Sequence, residues 1–206
     1  MKIELVTHCY RYPTLLRYQL SSLVLWPPQG VEVTATIFHT QADRETAEVL
    51  EWFKEQRAPG GVWNWWEQPV LELCKRSIGR NLAGLATSAD WVWFSDADYW
   101  FTAECWDAFP KIEGMDAALI FPRVVNTHRT HRLGDACIER AVNTQGPIAA
   151  DLSEFQPRPM QKAIGGIQIA RGDVCRAQGY LRDSKPAQEP RTKAVFAKNR
   201  EDVKFR

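Results

Sequence analysis

Alternating strand and helix signals predict an α/β fold with a central, mostly parallel sheet flanked by helices. Three observations carry that expectation. Short apolar stretches of strand type are each followed by apolar residues at helical spacing. Proline and glycine clusters, such as Pro27-Pro28-Gln29-Gly30 and Ala58-Pro59-Gly60-Gly61, separate the units. The strongly apolar run Trp91-Val92-Trp93-Phe94 leads directly into Ser95-Asp96-Ala97-Asp98. Four β-then-α units in succession are the order of a layered sheet whose crossovers keep the strands parallel.

The elements follow in turn. Residues 2–6 read as the first strand, and Pro13 opens a helix with Leu15, Leu16, Leu20, Leu23 and Val24 on its apolar side. Val31, Val33, Ala35 and Ile37 alternate with polar neighbours as the second strand, and His39-Thr40-Gln41-Ala42-Asp43 is the loop at its end. Ala47, Leu50, Trp52 and Phe53 fit a second helix, and residues 62–67 a third strand. Ile78, Leu82, Leu85 and Ala86 recur at helical spacing and predict one apolar face, with Arg80 and Asn81 near the helix start, where anions are favoured. The strand at Trp91 follows, with Trp91 and Trp93 on one face. Beyond Asp98 the pattern loosens: a short helix over 103–109, a strand over 117–121, no assignment over 126–160, a strand-like run with an internal Gly-Gly over 162–170, a loop over 182–193 and a last helix over 196–205.

Composition bounds the function classes. A chain of 206 residues fits one domain, 1–206, with a core large enough to bury a sheet between helices. A net charge of +1 argues against a generic nucleic-acid surface. No apolar run approaches the ~20 residues that span a bilayer, and residues 1–6 read as a strand rather than a signal peptide. A cytoplasmic location is expected. The five cysteines, Cys9, Cys74, Cys105, Cys137 and Cys175, are scattered and lack a Cys-x-x-Cys pair, so buried free thiols are expected. All nine tryptophans lie in the first 106 residues. Core packing accounts for most of them, and Trp100 and Trp106, which follow Asp98, are candidates for a sugar platform.

Strand side chains alternate, so Asp96 and Asp98 leave on one face and converge just past a strand's carboxyl end. Open α/β sheets place ligands there. Paired carboxylates suit a hard divalent cation on oxygen ligands, although the same triplet also serves as a polar turn.

The unit from Ser77-Ile78-Gly79-Arg80-Asn81 through Asp96-Ala97-Asp98 resembles the donor-binding half of GT-A-fold glycosyltransferases, especially family 2. In that family an Arg-Asn pair opens a helix, and the Asp-x-Asp motif follows the next strand. The resemblance implies a nucleotide-sugar donor, commonly linked to uridine diphosphate, and Mn²⁺ or Mg²⁺. Arg80, with Asn81 beside it, would approach the base or diphosphate. Asp96 would lie near the ribose and metal, and Asp98 would ligate the metal. Residues 1–98 would form the nucleotide-sugar-binding half and 99–206 a smaller acceptor and catalytic half.

Three further stretches support the resemblance. In the turn Thr7-His8-Cys9-Tyr10-Arg11 before Pro13, the resemblance gives Thr7, Tyr10 and Arg11 contact with the base. Asp43 sits where the family reaches base or ribose, but the family's usual acidic pattern is replaced here by His39-Thr40-Gln41-Ala42-Asp43. Gly165 and Gly166 resemble the family's Gly-rich strand and would border the transferred sugar, although a β-bulge is the alternative. Glu201-Asp202 resembles the acidic catalytic motif, with Asp202 as the base for an inverting transfer to an acceptor hydroxyl and Glu201 touching the acceptor. Two acids stabilised at a helix start are the alternative there.

A further departure from the family is that no His follows Glu201-Asp202. His128 and His131 could be read as a metal pair, but histidines three apart in a basic polar segment are more often solvated. Lys198, Arg200, Lys204 and Arg206 make the tail basic, for solubility or as a lid over the diphosphate. The expected activity is hexosyl transfer in glycan or polysaccharide assembly. A non-catalytic nucleotide- or glycan-binding module is the alternative. A sugar-phosphate nucleotidyltransferase is a second, but it would need a Gly-rich basic loop after the first strand.

Overall fold

The computed structural model describes residues 1–56, 61–128, 140–141 and 146–186. The elements run β1 (Lys2–His8), α1 (Pro13–Leu25), β2 (Glu32–His39), α2 (Arg44–Lys54), β3 (Gly61–Glu67), α3 (Val70–Leu73), α4 (Arg76–Ala86), β4 (Trp91–Asp96), α5 (Ala103–Trp106), β5 (Leu119–Ile120), β6 (Val124–His128), β7 (Phe155–Pro159), β8 (Ile167–Arg171) and α6 (Gly172–Gln178). The main sheet has the order β3-β2-β1-β4-β8-β5, and β6 and β7 form a separate two-stranded sheet. β1 to β4 are mutually parallel. β8 is antiparallel to β4 and β5. The mostly parallel sheet flanked by helices is the expected architecture.

Its two faces follow from strand alternation. Ile3, Leu5, Trp91 and Trp93 point to one side, where Leu16 and Leu20 of α1 and Leu50 and Phe53 of α2 cover them. Val6, Val92 and Phe94 point to the other, under Ala83 of α4, Cys175 of α6 and Tyr180. The crossovers from β1 through β3 move one way along the sheet, and the next returns the chain to the far side of β1. The order therefore reverses between β1 and β4, the topological switch point at which open α/β sheets form a crevice. His8 pairs with Asp96 at its rim.

Several expectations need correction. The apolar residues of α4 do not form its buried face. Leu82 and Leu85 are 43% and 40% exposed, and Ala86 is exposed as well. The buried residues are Ser77, Gly79, Arg80, Ala83 and Gly84. Small side chains bring this helix close to the sheet: a Cβ on Gly79 would stand 2.1 Å from His8 Nε2. Arg80 is not at the helix start but in the second turn.

Gly165 and Gly166 form a turn ahead of β8 rather than lying inside the strand, and Ile164 bridges to Ile167 across it. The expected 117–121 strand is reduced to Leu119–Ile120. Trp106 is fully buried against Trp93, Phe101 and Phe109, so it offers no sugar platform. Trp100 is half-buried between Tyr18 and Phe155. Cys9, Cys74, Cys105 and Cys175 are free thiols; Cys137 lies outside the described residues. Among the described residues no helix is long and apolar enough to cross a membrane.

Candidate active site at the end of β4

β4 delivers Asp96 as its last residue, and a turn carries Ala97 and Asp98 beyond it. The two carboxylates, alike in sequence, differ in surroundings. Asp96 Oδ1 accepts a hydrogen bond from Arg80 Nη2 at 3.1 Å and another from Arg76 Nη1. Arg76 and Arg80 lie four residues apart and so share one face of α4. The positive charge beside Asp96 is thus built in. Asp96 Oδ2 is turned towards Gly166, where an added Cβ would lie 3.1 Å from it and 2.5 Å from the Tyr99 ring. Any side chain at 166 would close that gap.

Asp98 has no ion-pair partner among the described residues and is exposed. Protein packed around its carboxyl raises its pKa above the ordinary aspartate value, and the neighbouring Asp96 charge adds to the rise. The adjacent Tyr99 phenol is pushed up to about 12 by burial, then by Asp98 and Asp96.

The two arginines also differ. The Arg80 side chain is fully buried and its Nη1 donates to Tyr180 Oη at 2.9 Å, while Tyr180 Oη donates to Gln168 Oε1 at 2.8 Å. Asn81 Oδ1 accepts from the Tyr180 backbone N–H at 3.0 Å, which ties the Gly179-Tyr180 turn to α4. The Arg76 side chain is 26% exposed. Its spacing from Arg80 was the signal available for it in the sequence.

The β1–α1 turn is fixed from the next loop. Asp43 caps α2 and is buried; its Oδ2 accepts from Arg11 N at 2.5 Å and from Thr46 Oγ1 at 2.6 Å. These bonds hold Arg11 at φ 63°, uncommon for a residue with a side chain. Arg11 is exposed, with its guanidinium 5.0 Å from the centre of the Tyr10 ring. Thr7 is fully buried within the sheet. His8 stacks on Phe38 at 4.7 Å. Burial, then the charges of Arg80 and Arg76, holds its pKa well below the usual histidine value.

Asp96, Asp98, Arg80, Asn81 and Gly166 therefore gather around one strand end, while Asp43, Tyr10 and Arg11 form a neighbouring turn. Arg76 is the member that sequence reasoning missed. Glu201, Asp202, His131 and the basic tail lie outside the described residues. His128 Nε2 lies 3.6 Å from Glu154 Oε2. Among the described residues no group of three or more His, Cys, Asp or Glu side chains is placed to hold a metal.

No family model matches the sequence, and no curated protein matches it. Among solved structures, residues 1–349 of TarS from S. aureus superpose with a TM-score of 0.55 and 16% identity, over 91% of this chain and 52% of that one. The same TarS segment in complex with UDP-GlcNAc gives a TM-score of 0.42 at 18% identity, over 58% of this chain and 33% of that one. The mannosyltransferase PcManGT from Pyrobaculum calidifontis, in complex with GDP-Man and Mn²⁺, gives 0.46 at 15% identity, over 88% and 48%. The first likeness carries the comparison and shows the fold, GT-A. The chain spans 52% of the TarS segment's length.

Proposed function

We propose that this chain is a metal-dependent inverting glycosyltransferase that moves a sugar from a nucleotide-sugar, UDP-linked in the first instance, to an acceptor hydroxyl. The observation that carries the reading is the asymmetry at the end of β4. Asp96 is already held by Arg76 and Arg80, whereas Asp98 stands exposed beside it at the switch point of the sheet. An exposed carboxylate with no ion-pair partner among the described residues, set against guanidinium groups, suits a ligand that brings both a cation and a diphosphate.

The donor set fits a hard divalent cation bound together with its ligand. Asp98 and the Oδ2 side of Asp96 would hold it, and donor and water oxygens would complete its shell. When bound, such a cation neutralises charge developing on the diphosphate. Arg76, the more exposed guanidinium, would meet the diphosphate, and the buried Arg80 would hold Asp96 from behind. Arg11, Tyr10 and Asp43 form the turn assigned to the base. Gly166 leaves room for the transferred sugar, with Gly165 beside it.

In the reaction the acceptor oxygen bonds to the anomeric carbon while the bond from that carbon to the diphosphate oxygen breaks. Asp202 takes the acceptor's proton, Glu201 orients the acceptor, and nucleoside diphosphate leaves. The family-2 assignment and a role in glycan assembly belong to the same proposal. So does a cytoplasmic location, with which free thiols agree.

The test is release of nucleoside diphosphate from UDP-sugars with Mn²⁺ and a panel of hydroxyl acceptors. UDP-GlcNAc, which TarS binds, is the first donor to try. Asp202→Asn should bind donor normally and transfer at least about 10²-fold more slowly. Near-normal transfer would move the base elsewhere. Donor binding by the unmutated chain without transfer to any acceptor would favour the binding-module reading.

A further inference from the structure

The Asp96-Ala97-Asp98-Tyr99 turn is gripped from behind by a side chain with no part in the site's visible chemistry. Gln19 lies in the middle of α1 and is fully buried. Its Nε2 donates to the carbonyl oxygens of Asp96 at 2.9 Å and Tyr99 at 2.8 Å, with Ser95 Oγ at 3.3 Å. Those carbonyls are the two ends of the turn, which is itself closed by a long bond, Tyr99 N to Asp96 O at 3.3 Å.

One helical turn further along α1, Ser22 Oγ accepts from Phe101 N at 3.1 Å and donates to Gln19 O at 2.6 Å. Two buried polar groups of α1 therefore fasten both the turn and the segment leaving it. The amide orientation is dictated by its neighbours: two carbonyl oxygens require the NH₂ end, because an oxygen there would face oxygen. A buried amide is costly unless bonded, so the arrangement calls for an explanation beyond packing.

We propose that Gln19 is a positioning residue that holds the Asp98 carboxylate in the geometry needed for metal-dependent donor binding, with Ser22 as its second anchor. Asp98 sits in a turn, is repelled by Asp96 and has no ion-pair partner among the described residues, so the turn's backbone sets where its carboxylate lies. A clamp across the ends of the turn fixes the backbone that carries it, and the ordering is complete before any ligand arrives. The metal-binding part rests on the glycosyltransferase reading; the clamp itself does not.

The experiment uses Gln19→Leu, which keeps the volume and removes the donors, and Ser22→Ala as a milder second variant. Amide hydrogen exchange is compared at Tyr99 and Phe101 against amides of β1 and β2, and UDP affinity is measured with and without Mn²⁺. In Gln19→Leu, exchange should quicken at Tyr99 and Phe101 and stay unchanged in β1 and β2. The gain in UDP affinity on adding Mn²⁺ should shrink by about tenfold, the scale of one or two lost hydrogen bonds, with metal-free affinity retained.

Ser22→Ala, which removes the acceptor of Phe101 N, should quicken exchange at Phe101 most and shift Tyr99 and the Mn²⁺ gain less, and it carries the test if Gln19→Leu does not fold. Unchanged exchange at Tyr99 and Phe101 in a folded variant overturns the clamp. Quickened exchange with an undiminished Mn²⁺ gain overturns the positioning role. If the unmutated chain binds no UDP with Mn²⁺, the donor reading fails, and exchange alone decides the clamp.

Discussion

The two ends of the Asp-Ala-Asp turn carry the same side chain and serve opposite purposes. Asp96 is bonded to Arg76 and Arg80, and through Arg80 it is tied to Tyr180 and Gln168 in the antiparallel part of the sheet. Asp98, two residues on, has no such ties among the described residues and bears the cost of a neighbouring like charge. A charged group is consumed by structure when oppositely charged groups are built around it, and available for chemistry when they are not. The two arginines share Asp96 and differ in exposure: the Arg80 side chain is fully buried, and Arg76 reaches solvent.

That comparison breaks most visibly at Asp98. Asp98→Asn should cost metal-dependent nucleotide affinity at least about tenfold, the scale of one lost charge-assisted contact, without costing stability. The sign of the stability effect follows from the raised pKa. Between the unfolded and folded pKa values the folded chain binds more protons, so stability falls as pH rises through that window. The variant should therefore unfold at or above the parent's temperature at pH 7, and the two should converge in acid. A variant that loses several degrees at pH 7 would place Asp98 among the structural groups.

Arg80 should show the reverse. Arg80→Met removes donors to Asp96 and Tyr180 and should lower stability by about 1.5–3 kcal/mol, the range for hydrogen bonds to charged groups. A fall of several degrees in Tm would report it. Arg76→Met, at a partly exposed pair, should cost under about 1 kcal/mol. Equal losses from the two would erase the distinction drawn between them.

The smallest effect concerns His8. It is kept neutral in the folded chain and titrates near 6.5 when unfolded, so the unfolded chain binds more protons below that pH. Stability should decline as pH falls through about 6.5. His8→Phe, which keeps a ring against Phe38, should flatten that slope in melting curves between pH 5 and 7.5. An identical slope in both proteins would assign the acid sensitivity to other groups.

The parallel half was legible because each strand and helix has its own period in the sequence, and successive units pair with neighbours already formed. β6 and β7 were not. They are partners across the intervening residues 129–154, and Pro157 and Pro159 in β7 read as turn signals rather than strand. The face of α4 was misjudged for a physical reason. Leu82 and Leu85 carry the apolar period, yet the sheet accepts Gly79, Ala83 and Gly84, which allow closer approach, together with an arginine that has its own partners. In the site, Asp96, Asp98, Arg80 and Gly166 could be named from their motifs. Arg76 had only its spacing from Arg80. Gln19 had only its position as a polar residue between Leu16 and Leu20, and neither signal says what the side chain meets.

The insertion of β8 between β4 and β5 has a consequence for how the chain is made. β4 receives β1 on one edge from residues already synthesised. Its other edge is covered by Ile167–Arg171, which emerge about 70 residues later. At a synthesis rate of 5–20 residues per second, the nascent chain carries an uncovered edge of tryptophan, valine and phenylalanine for roughly 4–14 s. The strand that ends in the candidate site is therefore, on the ribosome, open to pairing with the wrong chain until β8 arrives.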